Sequence, residues 1–244
     1  MISMNKTVLI SGGTSGIGKV AVLQLLKEGF AVSTFSSDAS KCEALKAELA
    51  LVAPPVNFSV SVADVRKEED CLRVVAETVK HFGGLDILVN NAGCGYFPSS
   101  DEVVKERFED MLAVNLVGLT MLTKHVIPHM KKRGSGLIIN ISSISGKVGF
   151  AGSEFYNATK FAVLGYSEGL RLELKPFGVK VSTVCPGEVA TNFLTPVEVE
   201  RRMQTRWGGK RPVMLEALDV ARIISFISNQ SEHSNVQDVL VMPF

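Results

Sequence analysis

The chain has 244 residues, and its 26 Lys and Arg against 25 Asp and Glu leave a formal charge of +1. Apolar residues make up 46% of it and the mean hydropathy is +0.22, which is enough for a large buried core and excludes a disordered chain. The neutral balance argues against a nucleic-acid coat or a polybasic membrane binder, and the lack of an apolar run of about 18 residues predicts no transmembrane helix.

Short apolar runs alternate with longer amphipathic ones. Strands are predicted at 7–10, 31–35, 57–62, 87–90, 136–141, 179–184 and 236–241. Most are rich in Val, Ile and Leu with little alternation, the mark of strands buried on both faces. Helical patterns lie between them at 16–28, 39–50, 67–82, 101–132, 154–175 and 216–229. Such alternation implies right-handed βαβ units, and hence an α/β fold with a parallel sheet and helices on both faces. With no linker and no repeat, residues 1–244 read as one domain. The segment 190–213 interrupts the alternation and carries five basic residues against two acidic ones. Long irregular insertions of this kind often cover binding sites.

The start, Met1 to Lys6, has no signal-peptide layout. Cys42, Cys71, Cys94 and Cys185 are widely spaced without a CxxC pair. They read as free thiols, and the expected location is the cytoplasm.

After the first strand comes Ser11-Gly12-Gly13-Thr14-Ser15-Gly16-Ile17-Gly18. Glycine lets a phosphate approach the backbone, and the helix that follows aims its free N–H groups at the anion. The spacing differs from GxGxxG, but the strand–turn–helix context is that of a dinucleotide site. Further motifs follow: Asp64-Val65, Asn90-Asn91-Ala92-Gly93, Asn115, Ser143, Tyr156-x3-Lys160 and Pro186-Gly187. Tyr156 and Lys160 share a helical face, so the ammonium can lower the phenol's pKa from about 10. Ser143 can hold a substrate oxygen in line. Asn115 lies inside an apolar helix, where a buried amide requires partners.

In their order, which spans nearly the whole chain, these motifs resemble those of the short-chain dehydrogenase/reductase family. One departure is Ser11, where the family usually has Thr; both carry a hydroxyl. The resemblance implies a doubly wound Rossmann-type domain with seven parallel strands in the order 3-2-1-4-5-6-7. It implies an NAD(P)-dependent oxidoreductase that interconverts a secondary alcohol and a carbonyl. Tyr156 would be the acid/base, Lys160 its pKa modulator and a contact to the nicotinamide ribose, Ser143 the substrate orienter, and Asn115 the holder of a relay water. The cofactor would lie on Gly12, Thr14, Ser15, Gly16, Ile17, Gly18, Asp64, Val65, Asn91, Ala92, Gly93, Pro186, Gly187 and Val189, with Asp64 on the adenine and Thr191 on the carboxamide. Two alternatives stand beside this reading. One is a silent NAD(P)-binding sensor, and the other is epimerisation or dehydration on the same scaffold.

The acid that selects NAD belongs at the end of the second strand. Family alignment puts Ser36 and Ser37 there, with Lys41 close by, which favours NADP and leaves NAD possible. Asp38 lies 20 residues past Gly18, and reads as a turn or helix-cap residue. Candidates to face a small carbonyl or alcohol are Cys94, Tyr96, Ser145, Phe150, Glu188, Phe193 and Trp207. Glu188 would pair with a cationic substrate group. Arg201, Arg202, Arg206, Lys210 and Arg211 read as a solvated face able to attract an anion. The ending Leu240 to Phe244 resembles the serine-type hydroxy-acid and sepiapterin-reductase-like branches. His125 and His129 are read as exposed helix residues rather than metal ligands, and Cys94 as a pocket-lining thiol. The family usually pairs through the two long helices, which implies a homodimer or homotetramer. Leu112, Leu116, Leu119 and Leu122, with Phe161, Leu164, Leu170, Leu172 and Leu174, form apolar faces that suit either core or interface.

Overall fold

The computed structural model describes residues 6–205 and 207–244; the start at residues 1–5 and Arg206 lie outside them. Seven parallel strands are β1 (Thr7–Ser11), β2 (Ala31–Ser36), β3 (Phe58–Val62), β4 (Ile87–Asn90), β5 (Gly136–Ile141), β6 (Val179–Pro186) and β7 (Asp238–Val241). They are ordered β3-β2-β1-β4-β5-β6-β7, as expected. The helices are α1 (Gly16–Lys27), α2 (Ala39–Ala50), α3 (Glu68–Phe82), α4 (Lys105–Leu112), α5 (Leu119–Arg133), α6 (Glu154–Leu174), α7 (Pro196–Thr205) and α8 (Ala217–Ser228).

Alternate strand residues enter opposite cores. Val8, Ile10, Ile87, Val89, Ile139 and Val184 pack with α1, α2 and α8. Leu9, Leu88, Ile138 and Val181 pack with α3, α5 and α6. Burial on both faces holds for the central strands. The edges β3 and β7 are more exposed, because each has a neighbour on one side only. Asn57 belongs to a 3₁₀ turn at Pro55–Asn57 and not to β3.

The helix predicted over 101–132 begins at Lys105 and is interrupted by a π-helical turn at Ala113–Gly118. Contrary to expectation, the run Lys105–Arg133 is long and apolar enough to cross a membrane by length and composition. Here it forms a layer of the fold, with Met111, Leu119, Leu122, Val126 and Met130 buried. Of the apolar residues on the two long helices, Leu119, Leu122, Leu170 and Leu174 are core, whereas Phe161 and Leu172 are exposed. The 190–213 segment is not wholly irregular, since α7 occupies its centre.

His125 also departs from the sequence reading. It is half-buried, and its Nε2 lies 3.2 Å from Glu68 Oε1. No group of three His, Cys, Asp or Glu side chains suited to a metal occurs among the described residues. All four cysteines are free thiols.

Candidate active site

The glycine turn joins β1 to α1 at the carboxyl edge of the sheet. Gly12 has φ +70°, and a Cβ there would come within 3.0 Å of Ala92 Cα. A Cβ on Gly13 would overlap the Thr34 hydroxyl of β2, so Gly13 is required by close approach and not by its dihedral. The buried Ser11 hydroxyl accepts from the Asn91 and Ala92 N–H groups at 3.1 and 3.0 Å. Asn91 Nδ2 donates to Ser11 O and Gly12 O at 3.0 and 3.2 Å. The Asn91 side chain thus braces the turn, while Ala92 and Gly93 continue the floor. Thr14 and Ile17 are half-buried and Ser15 is exposed. Ser15 takes the N-cap position of α1 without a side-chain cap bond, leaving the first-turn N–H groups of Gly16, Ile17 and Gly18 without a capping side chain. Thr191 leans over this end, its methyl 3.4 Å from where a Gly16 Cβ would stand.

At the end of β2, Ser36 accepts from the Asp38 N–H at 3.3 Å, and Ser37 is exposed. Asp38 is the N-cap of α2, as read from the sequence, accepting from Lys41 N at 3.1 Å and Ser40 Oγ at 2.6 Å. These bonds and the Lys41 ammonium bring its carboxyl down to about 2. Asp64 is more committed than its expected adenine contact requires. Arg66 Nη2 reaches its carboxylate at 2.6 Å and Arg66 Nη1 reaches Asp110 at 2.6 Å. Val65 is buried, and its carbonyl accepts from the Cys71 thiol.

Ser143, Tyr156 and Lys160 converge where β5 leads into α6. Ser143 caps a 3₁₀ turn at Ile144–Gly146, and its hydroxyl accepts from the N–H of the buried Ser145 at 3.1 Å. Burial pushes the Tyr156 phenol up, and the neighbouring Ser143 side chain opposes this. Lys160 is 5% exposed. Its Nζ donates to Ile141 O at 3.1 Å and lies 5.7 Å from the Tyr156 ring centre. Burial lowers its ammonium to about 8. Ser142 fixes the helix beneath it, its hydroxyl donating to Lys160 O at 3.0 Å.

Asn115 sits in the π-helical turn, a local distortion often found at functional sites. Its Oδ1 accepts from Cys94 N at 2.9 Å, while Nδ2 donates to Cys94 O at 2.9 Å and to Thr159 Oγ1 at 3.1 Å. The buried amide therefore has its partners. They are protein groups that tie the 90–95 loop to α6. Beneath, Asn90 donates to Thr123 and Asn140, and Asn140 to Ser167. This buried chain fixes β4, α5, β5 and α6 together.

Phe97 and Phe193 flank the Tyr156 ring at 5.3 and 5.7 Å between centres. Both pack over Gly95, where a Cβ would stand 2.5 Å from the Phe97 ring. Tyr96 is a strut, its hydroxyl accepting from Val104 N at 2.9 Å beneath the Arg107 guanidinium. Cys94 and Phe150 are half-buried, and burial raises the Cys94 thiol. Phe150 O accepts from Asn157 Nδ2 at 3.1 Å. A groove of about 320 Å³ opens between Tyr96, Phe97, Val104, Arg107, Val197 and Arg201.

Two expectations are corrected at this wall. Arg202 is not on a solvated face: it is 8% exposed, and its Nη1 pairs with Glu188 Oε1 at 2.8 Å. Glu188 therefore already has a cationic partner within the protein. Trp207 is half-buried at the end of α7, its N–H bonded to Arg202 O at 2.8 Å. The rings packed on Tyr156 are Phe97 and Phe193. After β6, Gly187 N donates to Val241 O at 2.8 Å, and Val189 bridges Leu215. That anchors Pro186–Thr191 against the sheet. Phe97 and Thr159 escaped the sequence reading, Gly13 entered it only as part of the glycine turn, and Arg202 only as one of a basic cluster in which nothing said which arginine turns inward.

The sequence profile described as short chain dehydrogenase matches residues 6–202. Serine 3-dehydrogenase of Rhizobium radiobacter is 32% identical over 245 residues, covering 98% of this chain and 94% of that protein. Among solved structures, ElxO with NADP bound superposes with a TM-score of 0.85 at 32% identity, covering 98% of both chains. The closed form of serine dehydrogenase complexed with NADP+ gives 0.86 at 30% identity, covering 97% and 94%. The glycine turn and the Ser143–Tyr156–Lys160 cluster thus stand in a chain that matches this profile over most of its length, and the chain belongs to the short-chain dehydrogenase family.

Proposed function

We propose that this protein is an NADP-dependent oxidoreductase that interconverts a secondary alcohol and a ketone or aldehyde. The observation that carries the reading is the buried Tyr156 phenol, set beside Ser143 and over the buried Lys160, on the sheet edge that holds the glycine turn. Serine 3-dehydrogenase and the NADP-bound relatives support the same class.

The residues fit a dinucleotide. Gly12 and Gly16 adopt positive φ, the start of α1 has no capping side chain, and Thr191 faces it. Pyrophosphate would lie on that helix end. Ser36 and Ser37 offer hydroxyls at the 2′ position, and the nearest acid, Asp38, is occupied as an N-cap. This supports NADP over NAD. Asn91, Ala92, Gly93, Pro186, Gly187, Val189 and Thr191 would line the nicotinamide half, and Asp64-Val65 the adenine.

When bound, the nicotinamide supplies or accepts the hydride. Tyr156, kept protonated by its buried setting, gives its proton to the carbonyl oxygen during reduction and takes it back during oxidation. Ser143 donates to the same oxygen and fixes its approach. Lys160 steadies the phenolate by its charge. Asn115 positions the Cys94 loop opposite. Maintaining a buried ammonium beside a buried phenol has a free-energy cost that a silent cofactor binder would not need to bear.

The exposed Phe161, Leu172 and Val117 on the two long helices support self-association through that face. The four free thiols support a reducing cytosol. The test is carbonyl-dependent NADPH and NADH oxidation over ketones, diketones and keto acids, with Tyr156→Phe beside the wild type. The variant is expected to lose about 10²–10⁴-fold in turnover, with NADPH affinity retained. Ser36→Asp is expected to shift preference toward NADH. Full activity of Tyr156→Phe would overturn the mechanism.

A further inference from the structure

Among the described residues only two charged side chains are buried, Lys160 and Arg202. The oxidoreductase reading accounts for the first and leaves the second without a role. Burying a guanidinium is costly unless it is paired, so its location needs a reason.

Arg202 lies on α7, in the basic segment that interrupts the βα alternation. Its guanidinium is 4.4 Å over the Phe97 ring, and Phe97 in turn packs on Tyr156. Its ion partner Glu188 follows Pro186-Gly187 directly, on the loop rooted to the sheet by Gly187 N–Val241 O. Both charges reach the reacting hydroxyl: Arg202 draws the Tyr156 phenol down and Glu188 pushes it up. A planar fork of donors, desolvated and held over an aromatic face, suits bidentate recognition of a carboxylate.

We propose that Arg202 is the specificity-determining residue of the pocket, selecting carbonyl substrates that carry a carboxylate, with Glu188 as its resting counter-ion. This rests on the oxidoreductase reading. A substrate carboxylate takes the place of the Glu188 carboxylate on the guanidinium. The carbonyl is thereby directed to Ser143 and Tyr156, with its apolar part against Phe97 and Phe193. Neutral carbonyls lack the group that exchanges with Glu188 and are the poorer substrates.

The test compares acetoacetate with methyl acetoacetate as a matched acid and ester. Wild-type kcat/KM is expected to favour the acid. Arg202→Met is expected to reduce the acid-to-ester ratio by about 10–100-fold, the worth of a charge-assisted hydrogen bond. Arg202→Lys should recover part of the ratio, because it keeps the charge and loses the fork. Glu188→Gln should raise the ratio. A wild-type preference for the ester, or a ratio unmoved in Arg202→Met, overturns the proposal while leaving the oxidoreductase reading in place. If no carbonyl is reduced at all, that reading fails, and calorimetry decides this one separately. Binding of 3-hydroxybutyrate but not its methyl ester, lost in Arg202→Met, supports a carboxylate site at Arg202. Equal or absent binding of the two refutes it.

Discussion

Lys160 gives a prediction in which stability and activity move in opposite directions. Burial holds its ammonium at about 8 instead of 10.5. At roughly 1.4 kcal/mol per pKa unit, keeping that proton on the folded chain at pH 7 costs about 3 kcal/mol. Lys160→Met removes the charge and roughly fills the space, but deprives Ile141 O of a donor, a loss of about 1 kcal/mol. The variant is therefore expected to be about 2 kcal/mol more stable at pH 7, or roughly 4–8 °C in Tm for a chain of this size. The sign with pH follows from linkage. Between about 8 and about 10.4 the unfolded wild type binds more protons than the folded one, so its stability rises with pH. The advantage of Lys160→Met should shrink across that window while its turnover stays lost. Urea unfolding at pH 7 and pH 10 measures both quantities. A variant less stable than wild type at pH 7, with the same pH dependence as wild type, would refute the reasoning.

Gly13→Ala is expected to cost about 1–3 kcal/mol and to weaken NADPH binding, because its Cβ would overlap the Thr34 hydroxyl and displace the turn; an unchanged unfolding midpoint would contradict this. Asn115→Leu keeps the volume but strips Cys94 N and O of their partners. About 2–4 kcal/mol should be lost, with faster hydrogen exchange at the Cys94 amide. Wild-type protection there would show that the loop is held by other contacts.

The order and type of nearly every element were legible in the chain, because burial on both faces writes itself as Val, Ile and Leu runs such as 8–10 and 137–139. The glycine turn and the Tyr156-x3-Lys160 pair were equally legible, since phosphate approach and a shared helical face each impose a fixed local spacing. Asp38 could be read as a helix cap for the same reason: its bonds reach only three residues ahead.

Contacts far apart in sequence were not legible. Gly13 answers to Thr34, Asn115 to Cys94 and Thr159, and Phe97 to Tyr156, each through packing that no local period encodes. The basic cluster of 201–211 shows the division most clearly. Its composition is the same whether its arginines face water or protein. Only the docking of α7 against the loop after β6 turns Arg202 inward to Glu188 and Phe97. Local sequence determined the scaffold and the proposed proton-transfer groups, whose geometry is set within one turn of helix or one strand end. Tertiary structure decided which charge is desolvated beside them, because burial belongs to the assembled surfaces rather than to any segment alone.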